Sequence, residues 1–132
     1  MQVLQPPDWA RPKGFANGIA ARGTLVFIAG QIGWTGQGEW RERAFAGQFR
    51  QALLNIISVL KEANGEPEHI VRLTWYVLDK QEYLASLREV GAAYRELMGR
   101  HYPAMAVVQV SGLVENEARR EIEATAVIPE AT

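Results

Sequence analysis

The chain has 132 residues, of which 48% are apolar and 22% charged, with a formal net charge of −1 and no cysteine. This is the make-up of an ordinary globular domain, long enough to bury a core without covalent staples. It excludes disulfides, thiolate metal sites and a cysteine nucleophile, and it offers no field for nucleic acid or an anionic membrane. No apolar run has the length of a membrane span, and the start, MQVLQPPDWARPKG, lacks a charged segment followed by an apolar one. A cytoplasmic protein of one domain, residues 1–132, is expected.

Residues 1–14 contain Pro6, Pro7 and Pro12 and show no period, so an irregular arm is expected. Phe15–Ala21 and Thr24–Ala29 read as short strands, with Arg22-Gly23 as a hairpin turn between them. The second of these is almost wholly apolar, which predicts burial on both faces. It runs into Gly30-Gln31-Ile32-Gly33-Trp34 and a glycine-rich loop through Gly38. From about Arg43 to Ala63 the apolar residues Phe45, Phe49, Ala52, Leu53, Ile56, Ile57 and Leu60 recur at helical spacing. Asn64-Gly65 supplies an end signal and Pro67 forbids continuation. Ile70–Leu78 is rich in β-formers. Asp79 and Glu82 have the spacing of a capping box. A second helix over Gln81–Gly99 follows, with Leu84, Leu87, Val90, Gly91, Tyr94, Leu97 and Met98 on its stripe.

The last third holds two strands, Ala104–Ser111 and Arg119–Ile128, joined by a polar loop with turn chemistry. Alternation separates Ala104, Ala106, Val108 and Val110 from Met105, Val107, Gln109 and Ser111. In the second strand, Glu121, Glu123, Thr125 and Val127 share the face opposite Ile122, Ala124, Ala126 and Ile128. The order β-β-α-β-α-β-β predicts an α+β layer of two helices on one face of a mixed sheet. The other face has nothing in this chain to cover it. It is expected to carry Met105, Val107 and Val127 beside Glu121 and Glu123, or else the alternative register. A half-apolar open face calls for a partner surface, and a closed symmetric ring of copies would supply one.

Several segments in order resemble the Rid (reactive intermediate deaminase, YjgF-like) family. They are Gly14-Phe15-Ala16-Asn17-Gly18, Ala29-Gly30-Gln31, Gln51-Ala52-Leu53-Leu54-Asn55, Val77-Leu78-Asp79, Pro103-Ala104-Met105 and Glu121-Ile122-Glu123-Ala124. The resemblance covers nearly all the chain from Gly14 onward. It implies a chorismate-mutase-like fold, a homotrimer with its sheets packed inward, and small-molecule clefts between subunits. It also implies hydrolysis of 2-imino and enamine acids to 2-keto acids and ammonia, with no metal or organic cofactor. In that scheme an arginine opening the strand at Pro103-Ala104-Met105 grips the substrate carboxylate, and a glutamate orients the attacking water. The glutamate corresponds to Glu121. The cleft would be lined by Phe15, Gly30, Gln31, Trp34, Ala104 and Met105.

Three departures remove polar groups from that cleft. Met105 stands where the arginine is expected, Phe15 where many members have tyrosine, and Ala29 where many have serine. Methionine makes an adaptable apolar wall and cannot hold a carboxylate. Loss of such a pair costs on the order of ten- to a hundredfold in binding. The sequence therefore predicts an arginine-lacking member that binds a less charged small metabolite and has a possible C–N hydrolase activity through Glu121. The alternative is a non-catalytic sensor or chaperone-like module on the same fold.

Each candidate also has a structural reading. Glu121 is a water-orienting base or an interface ion-pair partner. Glu123 is read as structural. Trp34 and Trp40 line the cleft or pack an interface. Arg88 and Arg119 are the arginines weighed as substitutes, each otherwise a solvated or paired charge. His101 is close enough in sequence to Met105 to reach the cleft, but His69 and His101 have no acidic cluster at ligand spacing and make no metal site. The glycines at 30, 33, 36 and 38 are followed by no Lys-Ser/Thr and no directly opening helix, so they make no phosphate loop.

Overall fold

The computed structural model describes residues 1–130. The elements in order are β1 (Gln2–Leu4), β2 (Gly18–Ala20), β3 (Thr24–Gln31), α1 (Phe45–Lys61), a 3-10 turn (Pro67–His69), β4 (Ile70–Val77), α2 (Lys80–Ala85), α3 (Leu87–Met98), β5 (Ala104–Gln109) and β6 (Arg120–Ile128). The main sheet has the strand order β3-β6-β4-β5. Only β4 and β5 run parallel, joined through α2 and α3, and the other pairings are antiparallel. This is the α+β architecture expected, with the helices on one face.

The stripe read from the sequence makes α1 the centre of the core. Phe49, Leu53, Ile56 and Leu60 have no exposed surface. Burying each contributes about 1.5–3 kcal/mol. They pack on Leu73, Trp75, Ile122 and Ala124 from the sheet and on Val90, Tyr94 and Met98 from α3. The helix stops where predicted. Asn64 takes a left-handed φ of 61°, and the Gly65 N–H donates to the Leu60 carbonyl. Asp79 caps α2 by accepting from the Gln81 and Glu82 N–H groups. Glu82 does not complete the box, because its carboxylate binds Arg119 instead, at 2.6 Å.

Four expectations are corrected. Residues 1–14 are not all irregular, since β1 forms there and pairs antiparallel with β2. The Phe15–Ala21 and Thr24–Ala29 segments therefore form no hairpin: β2 turns to β1, and β3 pairs with β6. Gly23 is required for a different reason, because a Cβ there would lie 2.0 Å from the Ile128 carbonyl oxygen. The second helix is two helices broken at Ser86, whose ψ of 9° is not helical. The break turns Leu84 and Leu87 outward, and Tyr83 packs on the core in their stead.

The fourth correction concerns the faces of the sheet. Register pairs Met105 with Leu73 and Val107 with Trp75, so both lie on the helix side against the core. Ala104, Ala106 and Val108 occupy the open face with Arg72, Thr74 and Tyr76, and Glu121, Glu123 and Thr125 share it. Strand β3 is not buried on both faces in a single chain. Ile28 is buried, but Leu25 is 58% and Phe27 74% exposed on the open side. The apolar run is there, and among the described residues nothing covers its open side.

Candidate functional site

The sequence-predicted site residues fall into two groups on opposite edges of the sheet. Phe15, Ala104 and Met105 lie at the β5 edge. Gly30, Gln31, Trp34 and Glu121 lie at the β3 end. Gly30 and Gln31 on β3 are separated from β5 by β6 and β4, whereas Glu121 stands on β6 itself with only β4 between it and β5, each step being about 4.8 Å.

At the β5 edge, the chain leaving the N-terminal segment lies alongside the start of β5. The Ala16 N–H donates to the Pro103 carbonyl at 3.0 Å, and Ala16 bridges Ala104 in parallel. Phe15 is thereby held beside Ala104, partly exposed. Met105 points to the helix side and lines a cavity of about 280 Å³ between the sheet and α3. Its walls include Trp75, Tyr83, Tyr94 and Tyr102, with Gly14 and Gly91 at its borders. Tyr94 and Tyr102 stack with centroids 5.2 Å apart. The Tyr94 hydroxyl donates to the His101 carbonyl, and burial pushes its ionisation well above the usual tyrosine range. The His101 ring is turned to the Ile70 carbonyl. Its Nε2 lies 2.6 Å from that oxygen, which can only accept, so Nε2 donates, and His101 does not line the Met105 cavity.

At the β3 end, the ladder slips between Ile28 and Gln31, and the bulge lets Gly30 face Glu121. A Cβ on Gly30 would sit 2.6 Å from Glu121 Oε2. Glycine here is a space requirement of the carboxylate. Glu121 is half-buried and makes no ion pair within 4.0 Å among the described residues. Its neighbour Glu123 accepts from the Tyr76 hydroxyl at 2.6 Å. Gln31 and Trp34 line a broader cavity of about 860 Å³ between the β3–α1 loop and α1. Asn55 fixes that loop by donating to the Ile32 and Trp34 carbonyls, and Trp40 packs on Trp34 at 5.8 Å.

The two arginines weighed from the sequence lie apart from Met105 in this chain. Arg119 is engaged by Glu82 and by the Arg43 carbonyl, and Arg88 lies on the exposed side of α3. Among the described residues no group of histidine, aspartate and glutamate side chains could hold a metal ion. Among the described residues no helix is long and apolar enough to cross a membrane. Sequence reasoning missed Arg120, which has no exposed surface. Its guanidinium lies 4.3 and 4.5 Å from the Phe45 and Phe49 ring centroids and has no hydrogen-bond partner among the described residues.

Comparison with known proteins decides the family. Residues 10–128 match the family model described as Endoribonuclease L-PSP, the family also called YjgF or Rid. The chain belongs to the Rid family. A RutC family protein of Pyrococcus horikoshii is 33% identical over 126 residues, covering 95% of this chain and 96% of that one. The 2-iminobutanoate/2-iminopropanoate deaminase of Capra hircus is 31% identical over 103 residues, 77% of this chain and 72% of that one. The crystal structure of a Rid family protein of unknown function from Yersinia pestis superposes with a TM-score of 0.85 at 29% identity, covering 96% and 98%. In this Rid chain Glu121 stands on β6 and Met105 on the edge strand β5, with β4 between them.

Proposed function

We infer that the protein is a homotrimeric, cytoplasmic Rid-family member that binds a small metabolite in clefts between subunits. In each cleft the Met105 edge of one subunit meets the Glu121 edge of the next. The reaction is hydrolysis of an imine, enamine or related C–N bond. A water placed by Glu121 attacks the C=N carbon, its oxygen becomes the carbonyl, and the nitrogen leaves as ammonia with the protons shuttled through the carboxylate. No cofactor takes part. Short 2-imino acids are not the preferred substrates, because Met105 supplies no fork for their carboxylate.

The observation that carries this reading is Glu121: half-buried, free of ion pairs among the described residues, and pressed against a glycine that leaves room for it. Some relatives are 2-iminobutanoate/2-iminopropanoate deaminases, and the same reaction type suits this carboxylate. The test is ammonia release by wild type and by Glu121→Gln on a panel of imines generated in situ. Release that falls on substitution supports the enzyme. Ligand binding without ammonia from any imine turns the reading into the alternative, a sensor or chaperone-like module.

A further inference from the structure

The cavity beside Met105 has a cation that the strand pattern did not expose. Arg95 lies on α3 one turn after Gly91, and long helical side chains lean back toward the N-terminus. Its Nη1 is 3.5 Å from where a Gly91 Cβ would be, so the guanidinium lies over the bare glycine at the cavity wall. A Cβ at Gly91 would be in ordinary van der Waals contact with that guanidinium. Arg95 has no ion-pair partner among the described residues. The helix positions that would supply one are Gly91, Ala92, Met98 and Gly99, none of them acidic. The nearby Glu96 is taken by Arg50 at 2.8 Å.

The rest of the cavity has the same sign. Lys13 lines it as well, and no aspartate or glutamate does. Behind Tyr83 sits the buried Arg120, close enough for its charge to act on the phenol. Trp75, one of the walls, has a buried indole N–H with no acceptor among the described residues. The walls themselves are aromatic, and a cavity of about 150 Å³ suffices for benzene, so about 280 Å³ admits a ring-sized body.

We propose that Arg95 is the anion-recognising residue of this site, and that the site takes a carboxylate carried on an aromatic or large apolar body. Met105 gives the floor to the body, and the carboxylate is held at the α3 side by Arg95, with Lys13 adding charge. A two- or three-carbon acid fills too little of the aromatic cavity to hold that position, whereas a phenyl-bearing acid fills it. The inference rests on the cleft reading above and names its substrate class.

The test is calorimetric binding of 3-phenylpropanoate, its neutral isostere 3-phenylpropanamide, and propanoate to the purified protein. The expected result is that 3-phenylpropanoate binds on the order of ten- to a hundredfold tighter than either of the others. Arg95→Gln should remove the acid's advantage over the amide, and Arg95→Lys should restore part of it. A melting temperature of Arg95→Gln within a few degrees of wild type shows that the variant is folded. Equal affinity for acid and amide, acid binding insensitive to Arg95→Gln, or no binding of the acid to wild type would each overturn the proposal. The hydrolase reading fails separately. A protein that holds the acid through Arg95 but releases no ammonia keeps this inference and loses the reaction. One that releases ammonia regardless of Arg95 does the reverse.

Discussion

Phe27 is the residue through which self-association is most cleanly tested. It projects from β3 onto the open sheet face and is 74% exposed in a single chain. Were the chain monomeric, Phe27→Ser would alter stability by about 0.5 kcal/mol or less, as surface substitutions do. In an assembly that buries this face, each copy loses the burial of a large aromatic. Full burial of phenylalanine contributes about 1.5–3 kcal/mol, and three-quarters of that remains to be gained on assembly, about 1–2 kcal/mol per chain. Over three chains the association free energy falls by about 3–6 kcal/mol, on the order of a hundred- to ten-thousandfold in the trimer association constant. Sedimentation equilibrium over a dilution series reads this directly. The expected outcome is wild type at three times the 14.7 kDa chain mass, with the variant dissociating at much higher concentration. An unchanged dissociation curve, or a monomeric wild type, would refute the reasoning.

Three further outcomes are expected. Arg120→Met should leave stability unchanged or raise it by about 1–4 kcal/mol in denaturant unfolding, because Glu82 keeps Arg119 as its partner and no charge is orphaned; a loss of several kcal/mol would mean the guanidinium between the two phenylalanines is a net stabiliser. Stability should decline as pH rises above 10, the ordinary tyrosine value. Burial raises Tyr94 in the folded state, so its contribution is complete below the unfolded value and is lost on the way up through the folded one; Tyr94→Phe should flatten that alkaline limb, and an unaltered limb would assign it elsewhere. Gly30→Ala should abolish ammonia release as fully as Glu121→Gln does, with a melting temperature within a few degrees of wild type, since the new Cβ displaces the carboxylate; full activity would remove Glu121 from the reaction.

The helix α1, the strand β4 and the Asp79 cap were legible because each rests on local chemistry: a period, a run of β-formers, a short side chain before a helix. The pairing of β2 with β1 was not, because two short strands near a glycine carry no record of their partner. The side on which Met105 lies was illegible for a sharper reason. Ala104, Ala106 and Val108 alternate with Met105 and Val107, all apolar, so the pattern is the same in both phases. The break at Ser86 puts Tyr83 rather than Leu84 or Leu87 against the core, which no stripe count reveals. Arg120 breaks the rule that charges face water, and only the facing rings of Phe45 and Phe49 explain where it went. Arg95 was passed over because it lies off the apolar stripe. Its significance comes from the bare Gly91 one turn earlier.

The central claim is that Met105 on β5 and the β3 end beside Glu121, kept apart within a chain by the strands between them, meet between chains. The native chain has no cysteine, so introduced ones report alone. A Lys13→Cys, Gln31→Cys double variant treated with a short bismaleimide is predicted to give covalent species of two and three chains and nothing larger, while each single variant stays uncross-linked, as a head-to-tail ring requires. Monomer alone from the double variant, or dimers from a single one, would contradict it.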